Sequence, residues 1–144
     1  LEIFSIPIAF RNLFNETEEH GGPEIHFEAK GNFDDLDKKL KTYIYRLTQE
    51  ALNNIVKHAE ASQVWVNLDR NPDDLVLVIR DNGKGFNLEN TRKDAGNGIH
   101  NMRERVSLLL GKIEIRSVPG TGTTITIKVP IIITNVKNPD FPRG

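Results

Sequence analysis

Four short stretches of this chain combine residue types and spacings that can do chemistry. In "QEALNNIVKHA", Glu50, Asn54 and Lys57 recur at helical spacing, so an acid, an amide and a base share one face of a helix. A carboxylate there can orient or deprotonate an attacking group, and an asparagine oxygen is a hard neutral ligand suited to Mg²⁺. A lysine one turn on can meet phosphate. Taken alone, the triplet is more often the pattern of a solvated helix face. In "RDNGKGF", Asp81 closes an apolar run and stands before Gly83 and Gly85. An ionised aspartate at a strand end can accept from an exocyclic amine such as that of adenine. The glycines allow positive φ and carry no Cβ to obstruct a flat ligand. Asp-Asn-Gly is also turn chemistry in its own right. In "GNGIHNMRER", Gly96 and Gly98 precede a helix whose free N–H groups and positive dipole end suit phosphate oxygens. "GTGTT" at 120–124 reads as a Gly-rich hairpin turn, with Thr123 and Thr124 hydroxyls able to reach a neighbouring pocket.

These stretches need elements to hold them. "EIHFEAKG" alternates, with Ile25, Phe27 and Ala29 on one face and Gly31 as its stop. The period then changes: Leu40, Ile44, Leu47, Ala51, Ile55 and Ala59 predict one long helix running from about 35 to 61. "QVWVNLDR" and "DLVLVIRD", joined by "NPDD", predict a hairpin. The second strand is apolar from Leu75 to Ile79, the pattern of a strand covered on both faces. Residues 87–97, where Leu88 and Ala95 are the only apolar side chains, read as a loop. "GIHNMRERVSLLLG" places Ile99, Met102, Val106 and Leu109 on one stripe, with Gly111 as its terminator. "KIEIRSV" and "TTITIKVP" are alternating strands around "PGTG". Hairpins exclude a wholly parallel sheet. The order predicts a five-stranded mixed sheet with two or three helices on one face.

Composition narrows the function. The chain has 144 residues, 38% hydrophobic and 27% charged, with a net charge of -1. That is a globular profile without the basic excess of a nucleic-acid binder. There is no cysteine, so disulfides and thiolate metal sites are excluded. His20, His26, His58 and His100 show no metal-binding spacing, and Trp65 is most simply a packing residue. No apolar run approaches the ~20 residues of a membrane-spanning helix. There is no G-x-x-x-x-G-K-[ST] run, so a Walker-type phosphate loop is absent.

In this order, "QEALNNIVKHA", "DNGKGF", "GNGIHNMRERV" and "GTGTT" resemble the N, G1, G2 and G3 boxes of sensor histidine kinases. The resemblance is to their ATP-binding catalytic domain, in the superfamily shared with DNA gyrase and MutL, and covers roughly residues 24–130. "GNGIHNMRERV", close behind "DNGKGF", is similar to the subfamily that phosphorylates NarL-class response regulators. The resemblance implies a Bergerat-type α/β sandwich that binds ATP with Mg²⁺. It implies Asn54 as the Mg²⁺ ligand, Lys57 near the phosphates and Glu50 as activator of the accepting histidine. It implies Asp81 on the adenine amine and Gly83 and Gly85 making room for the base. Residues 87–97 would be the ATP lid with Gly96 and Gly98 at its hinge end. Thr123 or Thr124 would complete the adenine pocket, and His58 and Ile99 join the nucleotide-binding set.

Neither His20 nor His26 resembles an acceptor-histidine box. The chain is therefore expected to be an excised cytoplasmic domain of a larger sensor, membrane-anchored or not. Residues 1–23 would lead in from an upstream domain, 24–131 form the catalytic domain and 132–144 a tail. The implied partners are ATP, the missing acceptor-histidine dimerisation domain and a NarL-class regulator, with no nucleic acid and no membrane contact. The competing readings are a stand-alone ATPase or serine kinase of the anti-sigma-factor type, and an interaction module that has lost its nucleotide.

Overall fold

A computed structural model describes residues 5–86 and 98–132. The expected lid with Gly96, the residues before Ser5 and the end of the tail lie outside the described residues. The elements are α1 (Ile6–Glu19), β1 (Glu24–Lys30), α2 (Lys38–Asn54), a π-helical turn (Ile55–Ala59), β2 (Gln63–Arg70), β3 (Asp74–Asp81), α3 (Gly98–Leu108), β4 (Lys112–Val118) and β5 (Gly122–Pro130). The expected element order is thus present. The strands form one mixed sheet in the order β1-β2-β3-β5-β4, with β1 parallel to β2 and the other pairs antiparallel. The parallel pair requires a crossover, which α2 supplies.

The core lies between one sheet face and the three helices. Alternation turns Val64, Val66 and Leu68 of β2, Leu75, Leu77 and Ile79 of β3, and Ile125, Ile127 and Val129 of β5 to the same buried side. The helices meet them with the stripes that their period lays out: Ile44, Leu47 and Ala51 on α2, Met102 and Val106 on α3. α1 packs on β1 and α2, and α3 on α2 and β4, so the helices lie side by side along the sheet. Ser5 caps α1 by accepting from the Ile8 N–H at 3.5 Å, and Pro7 sits in its first turn, where a missing N–H costs nothing. α1 is part of the same core: Ile6, Phe10 and Phe14 are buried, and the Phe10 ring lies 5.6 Å from Phe14, 5.5 Å from Phe27 and 6.3 Å from Tyr45.

Three expectations change. The long helix does not run uniformly to residue 61. It is α-helical to Asn54, widens into the π turn and stops at Glu60, whose φ of 54° is left-handed. β3 is covered on one face only. Val76 and Val78 are half-buried on the open side, where β-branched residues pack across strands without needing a helix above them. Trp65 lies on that open face as well, with the Arg80 guanidinium 4.0 Å over its ring and His26 stacked at 5.7 Å. At the end of α3 the left-handed residue is Leu110 (φ 58°), not Gly111. Gly111 is small because a Cβ would stand 2.6 Å from the Lys128 carbonyl of β5.

Phe10 tests whether α1 belongs to this fold energetically. Phe10→Ala should cost about 3–5 kcal/mol, the range for emptying a buried aromatic site. Urea unfolding of the two proteins measures it, and a loss under about 1 kcal/mol would mean that α1 is an appendage.

Candidate functional site

A cavity of about 300 Å³ opens between the end of α2, the π turn, the start of α3 and the β3–β5–β4 corner of the sheet. Its walls are mostly apolar: Ile79, Met102, Ile115 and Ile125 contribute side chains from four different elements. Against them stand a few polar groups, the lining typical of a small-molecule site.

Asp81 is the buried charge of this cavity, 4% exposed at the last position of β3. Strand alternation aims it inward, and register sets it opposite Thr123 of β5. Its Oδ1 accepts from the Gly83 N–H at 2.7 Å. Burial pushes its carboxyl above the ordinary aspartate value, and the Gly83 and Thr123 backbone groups pull against that shift without cancelling it. The turn after Asp81 is fastened on two sides. The Lys84 N–H donates to the Ala59 carbonyl at the end of the π turn at 2.8 Å, and the Lys84 carbonyl accepts from the Gly120 N–H of the β4–β5 hairpin. Asn82 turns away from the cavity. Its Oδ1 accepts from the Ser62 and Gln63 N–H groups at 3.0 and 2.9 Å, which pins the loop entering β2.

The glycines have different reasons to be glycine. Gly85 has φ 66° and lines the cavity. Gly83 does not line it: a Cβ there would stand 2.8 Å from the Ala59 Cβ and closer still to the Ala59 carbonyl. Its smallness serves close packing of the turn against the helix end rather than room for a flat ligand. A Cβ on Gly98 would lie 2.9 Å from both amide atoms of Asn54 and from Oε2 of Glu50. Asn54 and Glu50 therefore press against the first residue of α3, beside that helix's free N–H groups and positive dipole end.

Of the remaining expected residues, Asn54, Lys57, His58, Ile99 and Thr123 line the cavity. Lys57 and His58 reach it from the π turn. Glu50 is one helical turn back and is not part of the cavity wall. Thr124 does not reach the cavity. Alternation sends Thr123 to the buried side and Thr124 to the open side, in register with Arg80. Ser117 of β4 was not singled out from sequence. Its Oγ accepts from the Phe86 N–H at 2.9 Å and lies 2.7 Å from Thr123 Oγ1. The apolar walls were missed as well, although each lies on an inward-facing position of its strand or helix. Glu60 and Lys84, both on the rim, form an exposed pair at 3.8 Å.

The family described as "Histidine kinase-, DNA gyrase B-, and HSP90-like ATPase" matches residues 40–133. The chain is 38% identical over 130 residues to the signal transduction histidine-protein kinase/phosphatase DegS of Bacillus subtilis (strain 168), covering 88% of this chain and 34% of that protein. It is 32% identical over 131 residues to the oxygen sensor histidine kinase NreB of Staphylococcus carnosus (strain TM300), covering 91% of this chain and 38% of NreB. The chain thus spans about a third of the length of these relatives. Among solved structures, the histidine kinase domain of the blue-light activated kinase EL346 from Erythrobacter litoralis superposes with a TM-score of 0.68 at 19% identity, over 91% of this chain and 65% of that one. The histidine kinase AdeS of Acinetobacter baumannii gives 0.69 at 16%, over 90% and 66%. At these identities the likeness is one of fold.

The raised Asp81 pKa makes a stability prediction. A carboxyl whose folded pKa lies above its unfolded value favours the fold while protonated, and loses that contribution as pH rises through the folded pKa. The ligand-free domain therefore carries a cost at neutral pH that Asp81→Asn removes, since an amide oxygen can still accept from Gly83. The variant should be more stable than the native chain at pH 7, with the gap closing as pH falls toward the unfolded value of 3.8. Thermal unfolding across pH reads this out. A gap that widens on acidification would show that Asp81 is stabilised by its surroundings as an anion.

Proposed function

Because the chain belongs to the histidine kinase-, DNA gyrase B- and HSP90-like ATPase family, we propose that it is the ATP-binding catalytic part of a sensor histidine kinase. In this reading it supplies the γ-phosphoryl group of ATP to a histidine on a separate dimerisation domain. The observation that carries it is a carboxylate buried in an apolar cavity that also holds the amide of Asn54. A flat base with an exocyclic amine satisfies the first group, and a phosphate chain the second.

Asp81 accepts from the adenine amine, with Gly85 and Thr123 beside it and the apolar walls against the ring. His58 and Ile99 flank the nucleotide. The donor set at Asn54 fits Mg²⁺: a neutral oxygen, with Glu50 next to it against Gly98. Among the described residues no three histidines or acids come together as a metal cage, so the ion would rest on Asn54, phosphate oxygens and water. Bound there, Mg²⁺ supplies charge neutralisation along the triphosphate. Lys57 and the N–H groups opening α3 act on the same phosphates. Glu50, one turn from Asn54, orients the accepting imidazole and takes its proton. Gly96 and the rest of 87–97 keep the lid role that the resemblance implies.

The names of the relatives favour a histidine kinase over a serine kinase or free ATPase. "GNGIHNMRERV" supports a NarL-class response regulator as the downstream partner. Among the described residues no helix is long and apolar enough to cross a membrane. We place the domain in the cytoplasm, where ATP is available.

Two substitutions test the assignment. Asp81→Asn offers the amine a donor where it needs an acceptor, and the lost charge-assisted hydrogen bond should weaken Mg²⁺-ATP binding roughly ten- to a hundred-fold. Unchanged affinity by calorimetry would remove Asp81 from the base site. Asn54→Asp keeps the side chain's shape but changes its charge beside the triphosphate. Phosphoryl transfer to a separately made acceptor domain should fall while adenosine binding holds. Equal losses in both would put Asn54 in the base pocket or in folding.

A further inference from the structure

α2 and α3 run antiparallel: Glu50 and Asn54 near the end of α2 meet Gly98 at the start of α3, while Thr42 and Tyr43 lie beside Leu108. A groove of about 430 Å³ follows the outer seam between them, walled by Thr42, Tyr43, Arg46, Glu104, Arg105 and Leu108. Two of its features serve nothing inside the domain. The first is charge. α2 carries Lys38, Lys39, Lys41 and Arg46 against Glu50 alone, and α3 carries Arg103 and Arg105 against Glu104, in a chain of net charge -1. Elsewhere the described arginines are engaged: Arg11 stands over Phe27, Arg70 pairs with Asp35, Arg80 covers Trp65 and Arg116 pairs with Glu114. Arg46, Arg103 and Arg105 have no such partner among the described residues. Glu104, the acid in the groove, makes its contact with His100 at 3.4 Å. The second feature is apolar exposure. Leu108 is 66% exposed and Leu110 70%. Leu110 also holds a φ of 58°, a left-handed conformation that costs a leucine and not a glycine. Backbone closes the end of α3, with the Gly111 N–H donating to the Val106 carbonyl at 2.9 Å, so the leucine side chain is not what ends the helix.

We propose that this groove is a docking site for an amphipathic helix of a partner protein, apolar along one stripe with carboxylates beside it. The inference goes beyond the nucleotide reading and does not depend on it. The groove shares no lining residue with the cavity, and Leu108 lies about 15 Å along α3 from Gly98. A third helix laid along an antiparallel pair packs its apolar stripe into their seam. Tyr43 and Leu108 receive that stripe. Arg46 on α2 and Arg105 on α3 stand on opposite walls, and a guanidinium fork takes a carboxylate with two parallel hydrogen bonds. The partner's acids therefore flank its stripe on both sides. Lys39, whose Nζ lies 5.8 Å over the Tyr43 ring, extends the positive wall on α2. A concave seam with a cation on each wall fits a helix better than a bilayer, which meets flat or convex faces. The exposed leucines have no counterpart on a nucleic-acid backbone.

The test is an amide NMR titration of the whole chain with two synthetic helical peptides that share one leucine stripe at i, i+3, i+4 and i+7 spacing. One carries glutamates on both flanks of the stripe and the other lysines. The glutamate peptide should bind, with shifts concentrated at Tyr43, Arg46, Arg105 and Leu108, and the lysine peptide should not. Arg46→Glu combined with Arg105→Glu should reverse that preference. Leu108→Ala should weaken the glutamate peptide about tenfold, the scale of burying one leucine, with thermal unfolding unchanged. Leu110→Gly should unfold at a higher temperature than the native chain and yet bind the peptide more weakly. Saturating Mg²⁺-ADP should leave the peptide bound, and a chain that binds the peptide but no ADP would overturn the nucleotide reading alone. Binding of neither peptide, equal binding of both, shifts gathered at the cavity, or binding to phosphatidylserine vesicles in place of the glutamate peptide would overturn the docking site.

Discussion

Keeping an aspartate at the bottom of an apolar cavity is the constraint to which the surrounding structure answers. A buried carboxylate is costly unless hydrogen bonds reach it, and side chains that supplied them all would fill the space a ligand needs. The fold resolves this with backbone. The Gly83 N–H donates to Asp81 directly, and the Thr123 backbone adds to it from the neighbouring strand. The carboxylate is partly satisfied from behind and still poised above its ordinary pKa by burial. A group left under-satisfied in this way favours a ligand that completes it, so the cost in the empty domain is the counterpart of affinity.

The backbone donors depend on a junction where three segments meet. The chain after Asp81 must turn tightly, pass under the end of α2 and reach the β4–β5 hairpin. Ala59 accepts from Lys84, Lys84 accepts from Gly120, and Gly83 has no side chain because Ala59 stands where it would be. The π turn belongs to the same arrangement. Its wider winding ends at a left-handed Glu60, and the Ala59 carbonyl leaves the helix for the Lys84 N–H. The same five residues carry Lys57 and His58 to the cavity. π turns recur at functional sites.

Helices on one side and an open sheet on the other separate two kinds of surface. On the covered side, helix stripes and inward strand positions leave a concave gap at the corner where α2 ends and α3 begins. On the open side, His26, Trp65 and Arg80 stack across three strands, which buries part of the indole without a covering layer. α1 completes the covered side over β1, where Phe27 meets Phe10 and Phe14 in a ring cluster.

The sequence by itself determined the element types, because their signals are local. Period-two alternation, 3.6-residue stripes and Gly or Pro punctuation depend on neighbours a few residues away, and they suffice for five strands, the helices and a mixed sheet. It also put Glu50, Asn54 and Lys57 on one helix face and Asp81 at a strand end, because spacing is local, while only the family resemblance of the four stretches joined them into one site. Tertiary structure decided what depends on partners distant in the chain. Leu75 to Ile79 is equally apolar whether a strand has one covered face or two, and only the placement of all the helices on one side chose between them. Thr123 and Thr124 look alike in a Gly-rich turn until the register of β5 against β3 turns one inward and the other out. Gly83 reads as room for a ligand, but its neighbour is Ala59, 24 positions earlier. Ser117 carries no signal of its own, because a serine in an alternating strand becomes part of a site only when pairing with β5 sets it beside Thr123.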